Sequence, residues 1–267
     1  MNIGPAKEFY IETRGGRQLC ITFGSGSRSL VLVQGLRLSA LKGSGQFAAR
    51  YYRLFSEAYT VYMFDRKEPV EQGCTIHDLA EDLAAAMERL GLRDADMMGA
   101  SQGGMIAQDL AIHHPALVHK LVLAVTASRS NPTMEDAVNT WIALLEKQDL
   151  SAFARDYMLR GYSEAYIKKY GAFLPLVFRL QKPMPAERFI TLAKACLSCG
   201  TYDELEKIRG PVLVIGGGRD RVVSAEASRE IAEKLRCPLY MYEELSHEAY
   251  SEAKDFNRRV YDFLISG

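Results

Sequence analysis

Short runs of aliphatic and β-branched residues alternate with amphipathic helical stretches along most of this chain, and that alternation constrains the fold more than any other feature. Residues 29–33 (SLVLV), 60–64 (TVYMF), 96–99, 120–125 (KLVLAV), 211–216 (PVLVIG) and 239–242 read as strands, and their near-continuous apolar character is that of strands covered on both faces. Residues 9–13 and 18–23, joined at Gly15-Gly16, read as an opening hairpin. Between strands, residues 76–90 (IHDLAEDLAAAMERL) put Ile76, Leu79, Leu83, Met87 and Leu90 on one helical face, with Gly91 as C-terminal cap. Residues 102–114 and 225–235 predict further crossover helices, and 255–265 a closing one. The expected class is α/β: a mostly parallel, doubly covered eight-stranded sheet.

The alternation breaks once. Residues 128–206 contain no convincing strand, and helical periodicity is interrupted there at Pro132, Pro175, Pro183 and Pro185. Strands resume at 211, so this stretch is expected to be an inserted helical cap, dividing the chain into a core of residues 1–127 and 207–267 and a cap of residues 128–206. Lys and Arg together number 33, as do Asp and Glu, and a neutral chain without a basic stripe argues against nucleic-acid binding. No apolar run reaches the roughly 18–20 residues of a membrane helix, and residues 1–14 have no signal-type apolar segment. The five cysteines are odd in number and scattered, which fits reduced thiols and a cytoplasmic setting; Cys196-x-x-Cys199 lacks the second pair or preceding strand of a metal or redox motif.

The sharpest local signal is Gly99-Ala100-Ser101-Gln102-Gly103-Gly104, a G-x-S-x-G between a predicted strand and a predicted helix. A nucleophile at so tight a turn needs glycine two residues to either side, because larger side chains would collide. The competing reading is a tight turn with an idle serine. A serine hydroxyl needs a base, and of five histidines only His247 sits in a loop between the last strand and the last helix, where parallel sheets place their chemistry. His77, His113, His114 and His119 read as solvated or packed imidazoles. Asp220, in the turn after PVLVIG, is the acid placed to orient the imidazole, or else a turn aspartate bonding its own backbone.

At this point the chain resembles the α/β-hydrolase family over nearly its whole length. The segments that carry the resemblance are FDRKE (64–68), GASQGGMIAQDLAIHHP (99–115), KLVLAVTAS, PVLVIGGGRD (211–220) and LSHEAY (245–250). The family's order of serine, acid and histidine is matched by Ser101, Asp220 and His247, and its helical cap falls in the same place, between the sixth and seventh strands. The resemblance implies an oxyanion hole made of the Leu36 and Gln102 backbone N–H groups. Two departures stand out: Gln34-Gly35 where His-Gly is common, and Ser246 where glycine is frequent before the histidine.

A serine nucleophile in this family implies acyl chemistry on esters, thioesters, lactones or amides, or carbon-carbon cleavage of activated diketones, without metal or cofactor. The SQGGMIAQ segment is similar to enol-lactone hydrolases and haloperoxidase-type esterases. The expected partner is a small-molecule ester or lactone, with no nucleic acid and no membrane; a homodimer stays open. An acyltransferase and a weakly catalytic ligand-binding receptor are the alternatives. The cap aromatics Trp141, Phe153, Tyr157, Tyr162, Tyr166, Tyr170, Phe173 and Phe178 read as packing before a substrate box. They favour small, largely uncharged acyl groups, and Arg37, Arg219 and Arg221 are the cations expected near Ser101.

Overall fold

The computed structural model describes residues 5–37, 39–173 and 184–266. Within them one eight-stranded sheet is built from β1 (Lys7–Thr13), β2 (Gly16–Phe23), β3 (Arg28–Val33), β4 (Tyr59–Phe64), β5 (Ala95–Ala100), β6 (Val118–Ala124), β7 (Val212–Gly217) and β8 (Leu239–Tyr242). Its order is β1-β2-β4-β3-β5-β6-β7-β8. β1 and β2 form an antiparallel hairpin and β2 is also antiparallel to β4, so β2 alone runs against the common direction of β1 and β3 to β8. Strands 3, 5, 6 and 7 are buried along most of their length because helices cover both faces.

On one face lie α2 (Ile76–Arg89), α3 (Gln102–His113) and α8 (Ala225–Leu235); on the other lie α1 (Gly45–Tyr51), the short α9 (Ala249–Glu252) and α10 (Phe256–Ile265). The start of α2 is set locally: Thr75 Oγ1 accepts the Asp78 N–H while Asp78 Oδ2 accepts the Thr75 N–H, satisfying two donors that a helix start leaves open. Helix α1 has no counterpart in the sequence reading. Its buried residues are only Gly45, Ala48 and Ala49 while Phe47 is 72% exposed, so no apolar stripe announces it.

Between β6 and β7 come α4 (Pro132–Glu146), α5 (Leu150–Gly161), α6 (Glu164–Tyr170) and α7 (Ala186–Cys196). Here two prolines correct the sequence reading: Pro132 is the first residue of α4 and Pro185 immediately precedes α7. Both mark helix starts and break nothing, since a first-turn proline lacks only an N–H that would be unpaired anyway. Pro175 and Pro183 lie outside the described residues.

The strand order reverses beside β3: the chain steps from β3 to β4 on one side, then crosses to β5 on the other. A crevice therefore opens where the loops after β3 and β5 diverge, and such a switch point is where open parallel sheets bind ligands. Val33 pairs with Gly99 at the carboxyl ends of these strands, so the Gln34–Leu36 loop and Ser101 emerge side by side.

Candidate active site

Ser101 has φ 53° and ψ −124°, a conformation an L-residue adopts only when its surroundings enforce it. The enforcement is close contact. A Cβ on Gly99 would lie 2.5 Å from the Gly103 carbonyl oxygen, and one on Gly103 would lie 2.0 Å from the Val33 carbonyl oxygen. The turn is further pinned by the Ser101 N–H donating to Ala124 O at 2.9 Å and by Thr126 Oγ1 donating to Ser101 O at 2.7 Å.

His247 follows β8, and its Nε2 lies 2.8 Å from Ser101 Oγ while Nδ1 lies 2.8 Å from Asp220 Oδ2. Asp220 and His247 are buried. A carboxylate can only accept, so Nδ1 carries the proton and Nε2 presents its lone pair to the serine hydroxyl. Both readings of Asp220 hold at once: Oδ1 accepts the backbone N–H groups of Val222 and Val223 at 2.8 and 2.9 Å, leaving Oδ2 for the imidazole. Burial alone would lower the His247 pKa, but the Asp220 charge and hydrogen bond, helped by Glu248, raise it above the ordinary histidine value.

The histidine loop is clamped on both sides of His247. Ser246 Oγ donates to Arg160 O at 2.6 Å and the Glu248 N–H donates to Gly161 O at 2.7 Å, so the end of α5 holds the base in place. Glycine before the histidine could not make the first of these bonds.

Leu36 and Gln102 flank the serine. Gln102 is the first residue of α3, where the N–H has no carbonyl one turn back, and the loop presses in so closely that a Cβ on Gly35 would sit 3.0 Å from Ser101 Cβ. Arg66, absent from the expected cations, is buried beside them. Its guanidinium donates to Gln34 O at 2.6 Å and to Gln102 Oε1 at 3.2 and 3.3 Å, and burial pushes its pKa down to about 10. It ties the β3 loop to the head of α3. The available signal was a run of charged residues directly after a largely buried strand, Asp65 to Glu68 in FDRKE, with Arg66 second in it. Gln34 in turn accepts from Arg37 through Oε1.

Two hollows meet at Leu36 and Tyr157. A chamber of about 20 Å³ beside Ser101 and His247 is walled by Leu36, Trp141, Tyr157 and Val222. A cavity of about 260 Å³ is lined by Arg37, Tyr52, Tyr157, Tyr162, Glu248 and Tyr250. Trp141, Tyr157 and Tyr162 are therefore wall as well as packing. Tyr162 and Tyr166 do stack, at 4.7 Å and 15°, and Tyr170 lies 4.7 Å from Tyr166 but tilted by 51°, while Phe178 lies outside the described residues. Of the three expected arginines Arg37 reaches the cavity; Arg219 pairs with Glu244 and Arg221 donates to Tyr162 O.

The remaining histidines are engaged elsewhere. His77 and His113 both bond Asp109 Oδ1, at 2.9 and 3.1 Å, His114 bonds Glu81, and His119 bonds Asp96. Among the described residues the His77, Asp109 and His113 atoms are the one group clustered as metal ligands would be, at the far end of α3 from Ser101. Burial pushes the Cys196 and Cys199 thiols up to about 11 and about 12, which keeps both protonated and poorly nucleophilic.

The family described as serine aminopeptidase, S33, matches residues 31–254. A protein of Caulobacter sp. (strain K31) named "Putative carbamate hydrolase RutD" is 27% identical over 243 residues, covering 88% of this chain and 87% of that protein. The 3-oxoadipate enol-lactonase 2 of Acinetobacter baylyi is 25% identical over 160 residues, 60% of this chain and 59% of that one. In fold, the crystal structure of the enol-lactonase from Burkholderia xenovorans LB400 superposes with a TM-score of 0.84 at 20% identity, over 97% of this chain and all of that one.

Proposed function

Because the chain belongs to the α/β-hydrolase family described as serine aminopeptidase, S33, and is an enzyme of that type, we propose that it is a serine hydrolase cleaving a small carboxylic ester, thioester or lactone through an acyl-enzyme on Ser101. The observation that carries this reading is the unbroken chain from Ser101 Oγ to His247 Nε2 and from His247 Nδ1 to Asp220 Oδ2, each link 2.8 Å, at the mouth of the sheet's switch point. As Ser101 Oγ bonds to the substrate carbonyl carbon, its proton passes to His247 Nε2, and the buried Asp220 carboxylate stabilises the imidazolium. The Leu36 and Gln102 N–H groups take the oxyanion. His247 then returns the proton to the departing alkoxide or thiolate, and water, deprotonated by the same imidazole, releases the acid.

The apolar walls of the chamber at Ser101 favour a small acyl group, each buried methylene adding about 0.8 kcal/mol until the space is full. Helices α4 to α7 act as its cap. The curated relatives named for carbamate and enol-lactone hydrolysis agree with small acyl substrates. The test is a fluorophosphonate probe followed by p-nitrophenyl esters of increasing chain length and simple lactones, with and without acceptor alcohols. Labelling at Ser101 with turnover peaking at short or medium chains is expected. Turnover only with alcohol means an acyltransferase, labelling without turnover a receptor, and preference for a palmitoyl ester defeats the chamber assignment.

A further inference from the structure

Four carboxylates are buried among the described residues: Asp96, Asp109, Asp220 and Glu248. Three of them have a basic partner, Asp96 in Arg28 and His119, Asp109 in His77 and His113, and Asp220 in His247. Glu248 is 6% exposed and has hydroxyls in that role: Tyr250 donates to Oε1 at 2.9 Å, Ser251 to Oε2 at 3.0 Å, and the Tyr157 hydroxyl bonds the same carboxylate, with no Lys, Arg or His ion pair among the described residues. An ionised carboxylate withdrawn from water is costly unless a cation compensates it. Glu248 also lines the cavity of about 260 Å³, together with Tyr52, Tyr157, Tyr162 and Tyr250. A buried anion among four tyrosines is chemistry that suits an ammonium group, because aromatic side chains attract cations as well.

We propose that this cavity receives a small ammonium or alkylammonium group on the leaving-group side of the substrate, with Glu248 as its counter-ion and the four tyrosines as its walls. The inference deepens the ester reading and rests on it. The cavity and the Ser101 chamber share Leu36 and Tyr157, so one ligand can place its carbonyl at the serine and its cation in the cavity. The chamber, at about 20 Å³, has room for little beyond a small acyl group, which assigns the cation to the other side of the scissile bond. Burial pushes the Glu248 carboxyl above the usual range despite the nearby His247 and the hydroxyl donors, as expected of a site that waits for its cation. Arg37 lines the same cavity but donates to Gln34 Oε1 and to Ser39 O. It is half-buried, so water screens its repulsion more than it screens the attraction of the buried Glu248.

The experiment compares two acetate esters that differ only in N⁺ for C, those of choline and of 3,3-dimethylbutanol. The wild-type protein is expected to favour the choline ester in kcat/KM by about ten-fold or more, and Glu248→Gln to bring that ratio to about one. Independently of turnover, tetramethylammonium ion should bind the Ser101→Ala protein by calorimetry, with Kd weakened at least about ten-fold when Glu248→Gln is added. Neutral-ester turnover with no cation preference and no tetramethylammonium binding overturns the proposal and leaves the hydrolase reading intact. Preference for a matched anionic ester overturns it in favour of Arg37. Tetramethylammonium binding with neither ester hydrolysed keeps the cation site and defeats the ester reading.

Discussion

At the scale of single residues, the carboxylate of Asp220 shows how one short side chain serves two ends. Oδ1 is spent on the backbone of its own turn and Oδ2 on the imidazole, so Asp220→Asn should keep the turn and lose the tautomer that points a lone pair at Ser101. A fall of about 10³–10⁴ in kcat with an unchanged circular dichroism spectrum is expected, and an undiminished kcat would place the acid elsewhere. Ser101→Ala and His247→Ala should each remove nearly all turnover, because the three groups act as a unit. The pH dependence follows from the raised pKa of His247. The base works only when neutral, so kcat/KM should be full above the raised value and fall as pH drops through it, with an acid limb above the ordinary histidine pKa of about 6.5. An acid limb below that value would contradict the attraction of Asp220.

At the scale of elements, the site is the junction of the β3 loop, the β5–α3 turn and the β8 loop, and the tolerances there are set by backbone against backbone. A methyl on Gly103 would meet Val33 O at 2.0 Å, and neither the end of β3 nor the first turn of α3 can yield alone. Gly103→Ala should shift the head of α3, displacing Ser101 and the Gln102 N–H together. A loss of about 10² or more in kcat is expected, since ångström-scale misplacement costs that much, with a lowered melting temperature in the same variant. Wild-type kinetics in Gly103→Ala would mean the contact relaxes at no cost. Gly99 was legible in sequence because it answers a clash with Gly103 four residues on, whereas the contact of Gly103 with Val33 O is made only in the fold. Helix α1 was not, since its few buried positions carry only glycine and alanine.

At the scale of the whole molecule, Asp96 ties the amino-terminal side of the sheet together. It is 2% exposed at the start of β5, and it accepts from Arg28 of β3 at 2.5 Å, from Tyr59 of β4 at 2.8 Å, and bonds His119 of β6 at 2.8 Å. Arg28 also donates to Leu264 O in α10. Removing one partner of a buried ion pair costs about 3–5 kcal/mol; because Arg28 and His119 are partly solvated, about 2–3 kcal/mol is expected for Asp96→Ala. Differential scanning calorimetry should show the melting temperature lowered by roughly 4–12 °C, with kcat unchanged at 25 °C because the network lies at the opposite end of the strands from Ser101. A loss of kcat without a loss of stability would show that the network serves the site instead.

The amino-acid sequence by itself determined the class of fold, the eight strands, the serine turn and the three residues brought together around it. Each of those rests on interactions of short range or of strict period, or on a rule of the fold class: alternation of apolar runs, the local steric demand at Gly99, and the rule that loops at strand ends meet. Arg66 beneath the β3 loop and the division into a small apolar chamber and a tyrosine-lined cavity were decided only by the tertiary structure. Their partners are far apart in the chain, with Arg66 reaching Gln34 and Gln102 across 32 and 36 residues and Glu248 sharing a cavity with Arg37, Tyr52 and Tyr157. A charge in a loop has the same local signature whether it faces water or is later covered. What becomes of it depends on which helix closes over it, and that is settled by packing between elements rather than by any pattern within one.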